Sequence, residues 1–466
     1  MSRRKQVGFA VVALVTATAA VFCFAGVRPA MARASAAPAP PAHTSFWSAR
    51  RLPAVFTDAA ERVAEVRAGT ALVQQLTPIL APFDTCIAVQ GRAGPLASIN
   101  PTFALAPAST LKLLTATTVI DRIGADNSFT TRAFTDPAGD LIVVGGGDPR
   151  LATPDYIASQ HAQPRTRDAP FTSLADLADA IVAGGVHNVT GALVVDDHLH
   201  DSLRYLPDWK AVYGEEGDVG SLGALTVNGG FAAPSFTSPA ADPALTTGQA
   251  LASLLAARGV TIAGGVRRGL APADAHQVAK IESPPLSAIV GEMLTNSNNY
   301  TAETLLRDLA EGTDNAPATT ENGTKVVIQE MYNLRISTTG LVMHDASGLA
   351  TDDRVSCATL LQVIELASTP KFAAIDDGLP IAARTGTLAA RFLGGPLAGK
   401  LRAKTGSLAG VVGLVGVVDG SDDLHFAFLA NGDFSSATGA ALQAEVADAV
   451  GATPDLTAPA GLVPAP

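Results

Sequence analysis

The chain has 466 residues, 47% of them apolar and only 16% charged, with a formal net charge of −11. That length allows a sizeable core spread over two or three domains, and the composition excludes a wholly disordered, collagen-like or disulfide-dense chain. The acidic balance argues against nucleic acid as a partner, and three cysteines (Cys23, Cys86 and Cys357) are too few for a four-cysteine zinc site.

Arg3, Arg4 and Lys5 open the chain, an uncharged apolar run follows over 7–27, and Ala32-Arg33-Ala34 supplies an A-x-A arrangement of small residues. This is the layout of a secretory signal peptide. The run is also long enough to be kept as a membrane anchor. Residues 1–34 are therefore expected to be a signal peptide or anchor. Either outcome places the rest outside the cytoplasm, in the cell envelope or secreted, and a retained anchor would associate it with the membrane. Without those residues, which hold five basic and no acidic groups, the net charge is −16. Cys86 and Cys357 remain, either paired in an oxidising compartment or left as two buried thiols.

Residues 35–53 are rich in Ala and Pro and read as an extended spacer. An amphipathic pattern predicts a helix over 63–80. Residues 86–90 alternate as a strand, 91–94 form a turn, and 96–99 return as its partner. A helix is predicted from Ser109 to about 123, bracketed by Pro107 and Gly124. Over 135–275 the pattern changes to short β-rich runs at 141–144 and 192–195, a helix over 249–258 and a strand from 260, expected to form an inserted smaller α+β domain. Helices return over 286–294, 300–309, 325–333 and 356–367. Strands follow at 401–404, 411–418 and 425–430, with a turn at 419–423 and a closing helix over 438–450. Residues 454–466 read as a frayed tail. The expected fold class is α/β of the α+β kind, with one discontinuous domain (54–134 and 276–453) split by the insert.

Ser109-Thr110-Leu111-Lys112 is an S-x-x-K tetrad opening a helix, so hydroxyl and amine share one face. A serine hydroxyl becomes a nucleophile when an adjacent base takes its proton. A lysine can be that base where burial depresses its pKa. The helix start adds N–H donors suited to an oxyanion. The same spacing recurs at Ser2–Lys5 and Ser368–Lys371, so alone it reads equally as an ordinary helix start. Ser297-Asn298-Asn299 offers a hydroxyl that can relay a proton and an amide that can grip a substrate; alone it reads equally as a helix N-cap. Lys404-Thr405-Gly406-Ser407 presents a cation, two hydroxyls and a glycine allowing close approach, a set suited to a carboxylate beside a strand. Arg384-Thr385-Gly386-Thr387 is a near copy, and Lys404 is preferred because the following β-rich runs continue its sheet. Two of only eight lysines fall inside the series S-x-x-K, S-x-N, K-T-G, the set shared by penicillin-binding proteins and class A β-lactamases.

Ser109 and Ser297 are 188 residues apart, much further than in class A β-lactamases. The segment from Leu105 to Thr115 resembles P-A-S-x-x-K-L-x-T. Gly145-Gly146-Gly147-Asp148-Pro149 resembles G-G-G-D-P. Ser283-Pro284-Pro285-Leu286, Ala302-Glu303 and Asp345-Ala346-Ser347-Gly348-Leu349 resemble S-P-P-L, A-E and D-G-S-G-L. In these motifs the chain resembles the low-molecular-mass D-alanyl-D-alanine carboxypeptidases of the class C penicillin-binding proteins, peptidase family S13. The resemblance implies a β-lactamase/transpeptidase-like serine-enzyme domain acting on peptidoglycan stem peptides as a carboxypeptidase or endopeptidase, acylated by β-lactam antibiotics, with no metal and no cofactor. It implies Ser109 as nucleophile, Lys112 as base and Ser297 as proton relay. Asn299, Lys404, Thr405, Gly406 and Ser407 would bind substrate, and the N–H groups of Ser109 and Ser407 would form the oxyanion hole. Ala350-Thr351 stands where the family has a serine followed by a basic residue, Ala346 replaces a glycine, and the 228–247 segment is short. Two rival functions are a β-lactamase-like hydrolase and a catalytically silent wall-peptide binder. His198 and His200 beside Asp196, Asp197 and Asp201 read as solvated side chains rather than a metal site. The P-loop-like run 394–400 lacks the Ser or Thr that would follow its Lys.

Overall fold

In the computed structural model the described residues are 46–92, 94–232, 237–310 and 316–453, with side chains from Arg62 onward. The apolar run expected to direct export and the expected tail lie outside them. No helix among the described residues is long and apolar enough to cross a membrane.

Helix α1 covers Phe46–Leu80. It begins inside the stretch read as an extended spacer, because the Pro-rich run ends at Pro41 and Ala, Arg and Leu dominate from Ala49. Strands β1 (Asp84–Gly91) and β2 (Gly94–Ile99) form a hairpin. A 3₁₀ turn, Ala108–Leu111, leads into α2 (Lys112–Arg122). Strands β3 (Thr130–Thr135) and β4 (Leu141–Val144), helix α3 (Leu174–Ala183), β5 (Leu193–Asp196), α4 (Pro243–Ala256), β6 (Val266–Arg268) and β7 (His276–Glu282) follow. Then come α5 (Leu286–Asn296), α6 (Asn299–Asp308), α7 (Thr320–Asn333) and α8 (Cys357–Ala367). Strands β8 (Leu401–Leu408), β9 (Val411–Val418) and β10 (Leu424–Asn431) precede the closing helix α9 (Ser436–Gly451).

The first sheet has the order β8-β9-β10-β1-β2 and is antiparallel throughout. Every residue of β9 is buried, as its unbroken apolar sequence requires of a strand covered on both faces. Alternate side chains enter two cores. Ile87, Val89, Leu414, Phe426 and Phe428 meet Leu72, Leu76 and Leu80 of α1 and Leu442, Val446 and Val450 of α9. Cys86, Ala88, Val415, Val417, Ala427 and Leu429 meet α2, α5, α6, α7 and α8 on the other side. Helix α2 is buried from Lys112 to Ile120, so it runs through the middle of that helical layer.

The second sheet has the order β6-β5-β4-β3-β7, with α3 and α4 packed over one face. It reaches beyond the expected insert of 135–275. Residues 130–134 and 276–282 complete it because β3 and β7 pair with each other, Thr130 opposite Glu282. The chain therefore enters and leaves this sheet side by side. A second correction concerns Lys404-Thr405-Gly406-Ser407. Its ladder with β9 continues to Leu408, so the motif sits within β8 rather than ending a short strand.

Cys86 on β1 and Cys357 at the start of α8 form a disulfide, their Cα atoms 5.8 Å apart. It closes a loop spanning 271 positions. Non-reducing peptide mapping should recover Cys86 and Cys357 in one cross-linked fragment. Replacing both by Ala should lower stability by roughly 2–5 kcal/mol, read by denaturant unfolding.

Candidate active site

Three chain segments converge at the foot of a cleft of about 480 Å³ lined by Ser109, Ser297, Asn299 and Ser407. Ser109 follows Ala108, whose φ of 47° is left-handed. The turn is held on two sides. The Asn431 amide accepts the Ala106 N–H at 2.9 Å and donates back to the Ala106 carbonyl at 3.1 Å. Gly348 backs onto the Ala108 carbonyl so closely that a Cβ there would lie 2.0 Å from its oxygen.

One turn further, the fully buried Lys112 Nζ donates to Ser109 Oγ at 2.9 Å, Asn299 Oδ1 at 2.6 Å and the Ser347 carbonyl at 2.7 Å. Burial pulls its pKa down to about 7, against the opposing charges of Asp345, Glu303 and Asp218. The other S-x-x-K serine and lysine diverge, Ser368 bonding to His425 and Lys371 to Asp121.

Ser297 terminates α5 in the left-handed region (φ 61°, ψ 41°). Asn298 is the N-cap of α6, accepting the Thr301 N–H at 3.0 Å. The middle residue of S-x-N thus does the capping, and both flanking side chains reach the cleft. Asn299 Nδ2 also donates to the Asp218 carbonyl at 2.9 Å. Lys404, fully buried, donates to Ser297 Oγ and the Thr405 carbonyl, each at 2.8 Å. Its pKa is driven well below the usual lysine range by burial, then by the charges of Lys112 and Arg165. Gly406 admits the turn before Ser109, since a Cβ there would stand 2.6 Å from the Pro107 carbonyl oxygen. Thr405 Oγ1 donates to Thr387 Oγ1 at 2.9 Å, so the near copy of the motif lies beside it. Of the eight expected site residues, Ser109, Ser297, Asn299 and Ser407 line the cleft, Lys112 and Lys404 bond to them from beneath, and Thr405 and Gly406 join Lys404 to Ser407 along β8.

Several cleft residues carried no assigned role in the sequence. Arg150, directly after Gly-Gly-Gly-Asp-Pro, is buried against Glu292 at 3.0 Å, with its guanidinium 4.2 Å from the Phe171 ring centre. The Asp148 side chain accepts the Arg150 N–H at 2.8 Å. Arg150, Arg165 and Asp218 line the cleft from the inserted segment. Only the glycine-rich motif could have pointed to Arg150; Arg165 and Asp218 lie in segments with no local signal. His198 and His200 go to different carboxylates, Asp196 at 2.6 Å and Asp308 at 2.7 Å. Burial pushes His200 down to about 3, so it is neutral.

With this geometry in view, comparison with known proteins is decisive. The family described as D-Ala-D-Ala carboxypeptidase 3 (S13) matches residues 85–241 and 219–451. The chain belongs to this family. A carboxypeptidase of Mycobacterium tuberculosis is 33% identical over 346 residues, 70% of this chain and 71% of the relative. The D-alanyl-D-alanine carboxypeptidase of an Actinomadura species is 28% identical over 414 residues, 70% of this chain and 73% of the relative. Penicillin binding protein 4 of Haemophilus influenzae shares the fold, with a TM-score of 0.67 at 21% identity over 80% of this chain and 97% of that one. The arrangement of sheet and helices is thus the mixed α/β fold of that protein.

Gly348→Ala tests the support of the turn before Ser109. It adds a clash and a left-handed alanine (φ 79°). The expected result is a loss of about 2 kcal/mol or more in denaturant unfolding.

Proposed function

We propose that this S13 protein is an exported serine DD-peptidase. It hydrolyses the D-Ala-D-Ala bond of peptidoglycan stem peptides through an acyl-enzyme on Ser109, as a carboxypeptidase and on cross-links as an endopeptidase, and is acylated there by β-lactams. The carrying observation is the buried Lys112 amine 2.9 Å from Ser109 Oγ, with its pKa near neutrality. Export rests on the N-terminal sequence, which would leave the protein secreted or anchored to the membrane. The names of its S13 relatives support the substrate class.

In this reading neutral Lys112 takes the Ser109 proton as Oγ attacks the carbonyl carbon of the penultimate D-Ala. The N–H groups of Ser109 and Ser407 receive the developing oxyanion. As the C–N bond breaks, the proton taken up by Lys112 is relayed through Ser297, held by Lys404, to the leaving amine, which leaves Lys112 neutral again. Thr405 and Ser407 receive the terminal carboxylate, whose negative charge favours the protonated form of Lys404 beside them, and Asn299 aligns substrate and Lys112 together. Water then attacks the ester, neutral Lys112 accepts its proton, and the same proton returns to Ser109 Oγ as the acyl C–O bond breaks. Lys112 must be uncharged when the first proton moves. Burial favours that state, since the charged amine loses its water there.

Incubation with a fluorescent penicillin should leave a persistent covalent band, absent in Ser109→Ala. D-Ala should be released from a D-Ala-D-Ala peptide. Rapid β-lactam turnover would favour a β-lactamase instead, and absence of both labelling and D-Ala release would leave a silent binder. Lys112→Ala should fold and lose about 10²-fold or more in acylation rate.

The pH dependence follows from the same amine. Only its neutral form accepts a proton, so acylation of the free protein should rise with pH through about 7 and level off above it. A rate independent of pH between 5.5 and 8.5 would contradict Lys112 as the base.

A further inference from the structure

Ala302-Glu303 and the 345–349 turn stand out in the sequence, yet the chemistry above uses neither. Asn299 and Glu303 lie four residues apart on α6, on one face. Glu303 is fully buried, and its Oε1 accepts two backbone N–H groups, Ala346 at 3.0 Å and Ser347 at 2.8 Å. The carbonyl of that same Ser347 receives Lys112 Nζ at 2.7 Å. Asp345 secures the rest of the turn, accepting the N–H groups of Gly348 at 2.7 Å and Ala350 at 2.8 Å, and Trp209 Nε1 at 2.8 Å. The turn then presses Gly348 against Ala108, the residue before the nucleophile.

We propose that Glu303 is a positioning residue, whose Oε1 fixes the Ser347 peptide so that its carbonyl holds Lys112 on Ser109. Helix α6 then governs two of the three acceptors around the amine, Asn299 directly and Ser347 through Glu303. What matters is an acceptor oxygen at the right reach, not a negative charge, because both N–H groups converge on one atom. Burial, and then the charge of Asp345, push the Glu303 carboxyl above the usual carboxylate range. Asp353 and Lys112 also face this group, and neither is needed for its hydrogen bonds.

The proposal rests on Ser109 as nucleophile and Lys112 as its base, and the test separates the two ideas. Acylation by a penicillin is timed for the full chain and for Glu303→Gln and Glu303→Asp, resolving the acylation rate constant from the preceding non-covalent affinity. Gln keeps the oxygen at its reach and loses the charge. Asp keeps the charge and withdraws the oxygen by one methylene. The expected result is a Gln variant within about fivefold of the parent and an Asp variant slowed by about 10²-fold in rate constant, with affinity unchanged, as displacement of a catalytic group by about 1 Å entails. The reverse order would overturn the proposal in favour of a charge effect. Parent-like rates in both variants, or equal slowing of both, would also overturn it. Should Glu303→Asp fail to fold, a Gln variant slowed more than about tenfold would be enough to overturn it. An unlabelled parent protein would instead sink the assignment of Ser109.

Discussion

An amine buried away from water must be surrounded by acceptors, give up its charge, or both. Lys112 meets this condition in both ways, and much of the surrounding structure follows from it. Its three acceptors come from Ser109, Asn299 and Ser347, positions 3, 187 and 235 residues away. These segments can meet at one nitrogen only if α2 is enclosed by the helices that carry them. Lys404 repeats the problem, donating to Ser297 and to its own strand. Burial lowers both amines, and the charge of Lys112 lowers Lys404 further.

The fold meets that requirement through layers and corners. The antiparallel sheet ends in β8, whose edge position turns Lys404 to Ser407 towards the cleft. The corner between α5 and α6 is made by Ser297 in a left-handed conformation, and the turn before Ser109 by Ala108 in another. Each such residue costs of order 1–3 kcal/mol, and persists because its surroundings leave no alternative. Asn431 clamps one turn from the sheet, Gly348 closes it from behind, and Asn298 caps the corner. The disulfide ties β1 to α8, joining the sheet to the helical layer behind the cleft. The second sheet stands on the paired strands β3 and β7, and its segments bring Arg150, Arg165 and Asp218 to the cleft wall.

Periodicity made most elements legible in the sequence. The apolar run of β9 and the amphipathic α8 and α9 lie within two residues of their expected bounds. Failures occurred where a neighbour decides the outcome. β3 and β7 are short and half polar, and become strands by pairing with each other. β8 runs through Lys404 because β9 supplies a ladder as far as Leu408. Helix α1 overlaps the expected 35–53 spacer from Phe46 on, with Pro53 inside it, because Ala, Arg and Leu surround that proline and favour a helix.

The residue types that do chemistry, their order, the family and the sign of the net charge were determined by the sequence alone, because each is a local or compositional property. Only the tertiary structure decided that Ser109 and Lys112 meet S-x-N and K-T-G at one cleft while Ser368 and Lys371 diverge, and that Cys86 and Cys357 are bridged. It also decided that Glu303 and the Ser347 carbonyl stand behind Lys112. These depend on contacts between segments more than forty, and often hundreds, of residues apart. A lysine in a helix carries no mark of whether it will be buried. Packing removed its water, and so gave Lys112 and Lys404 pKa values far from those of a surface lysine.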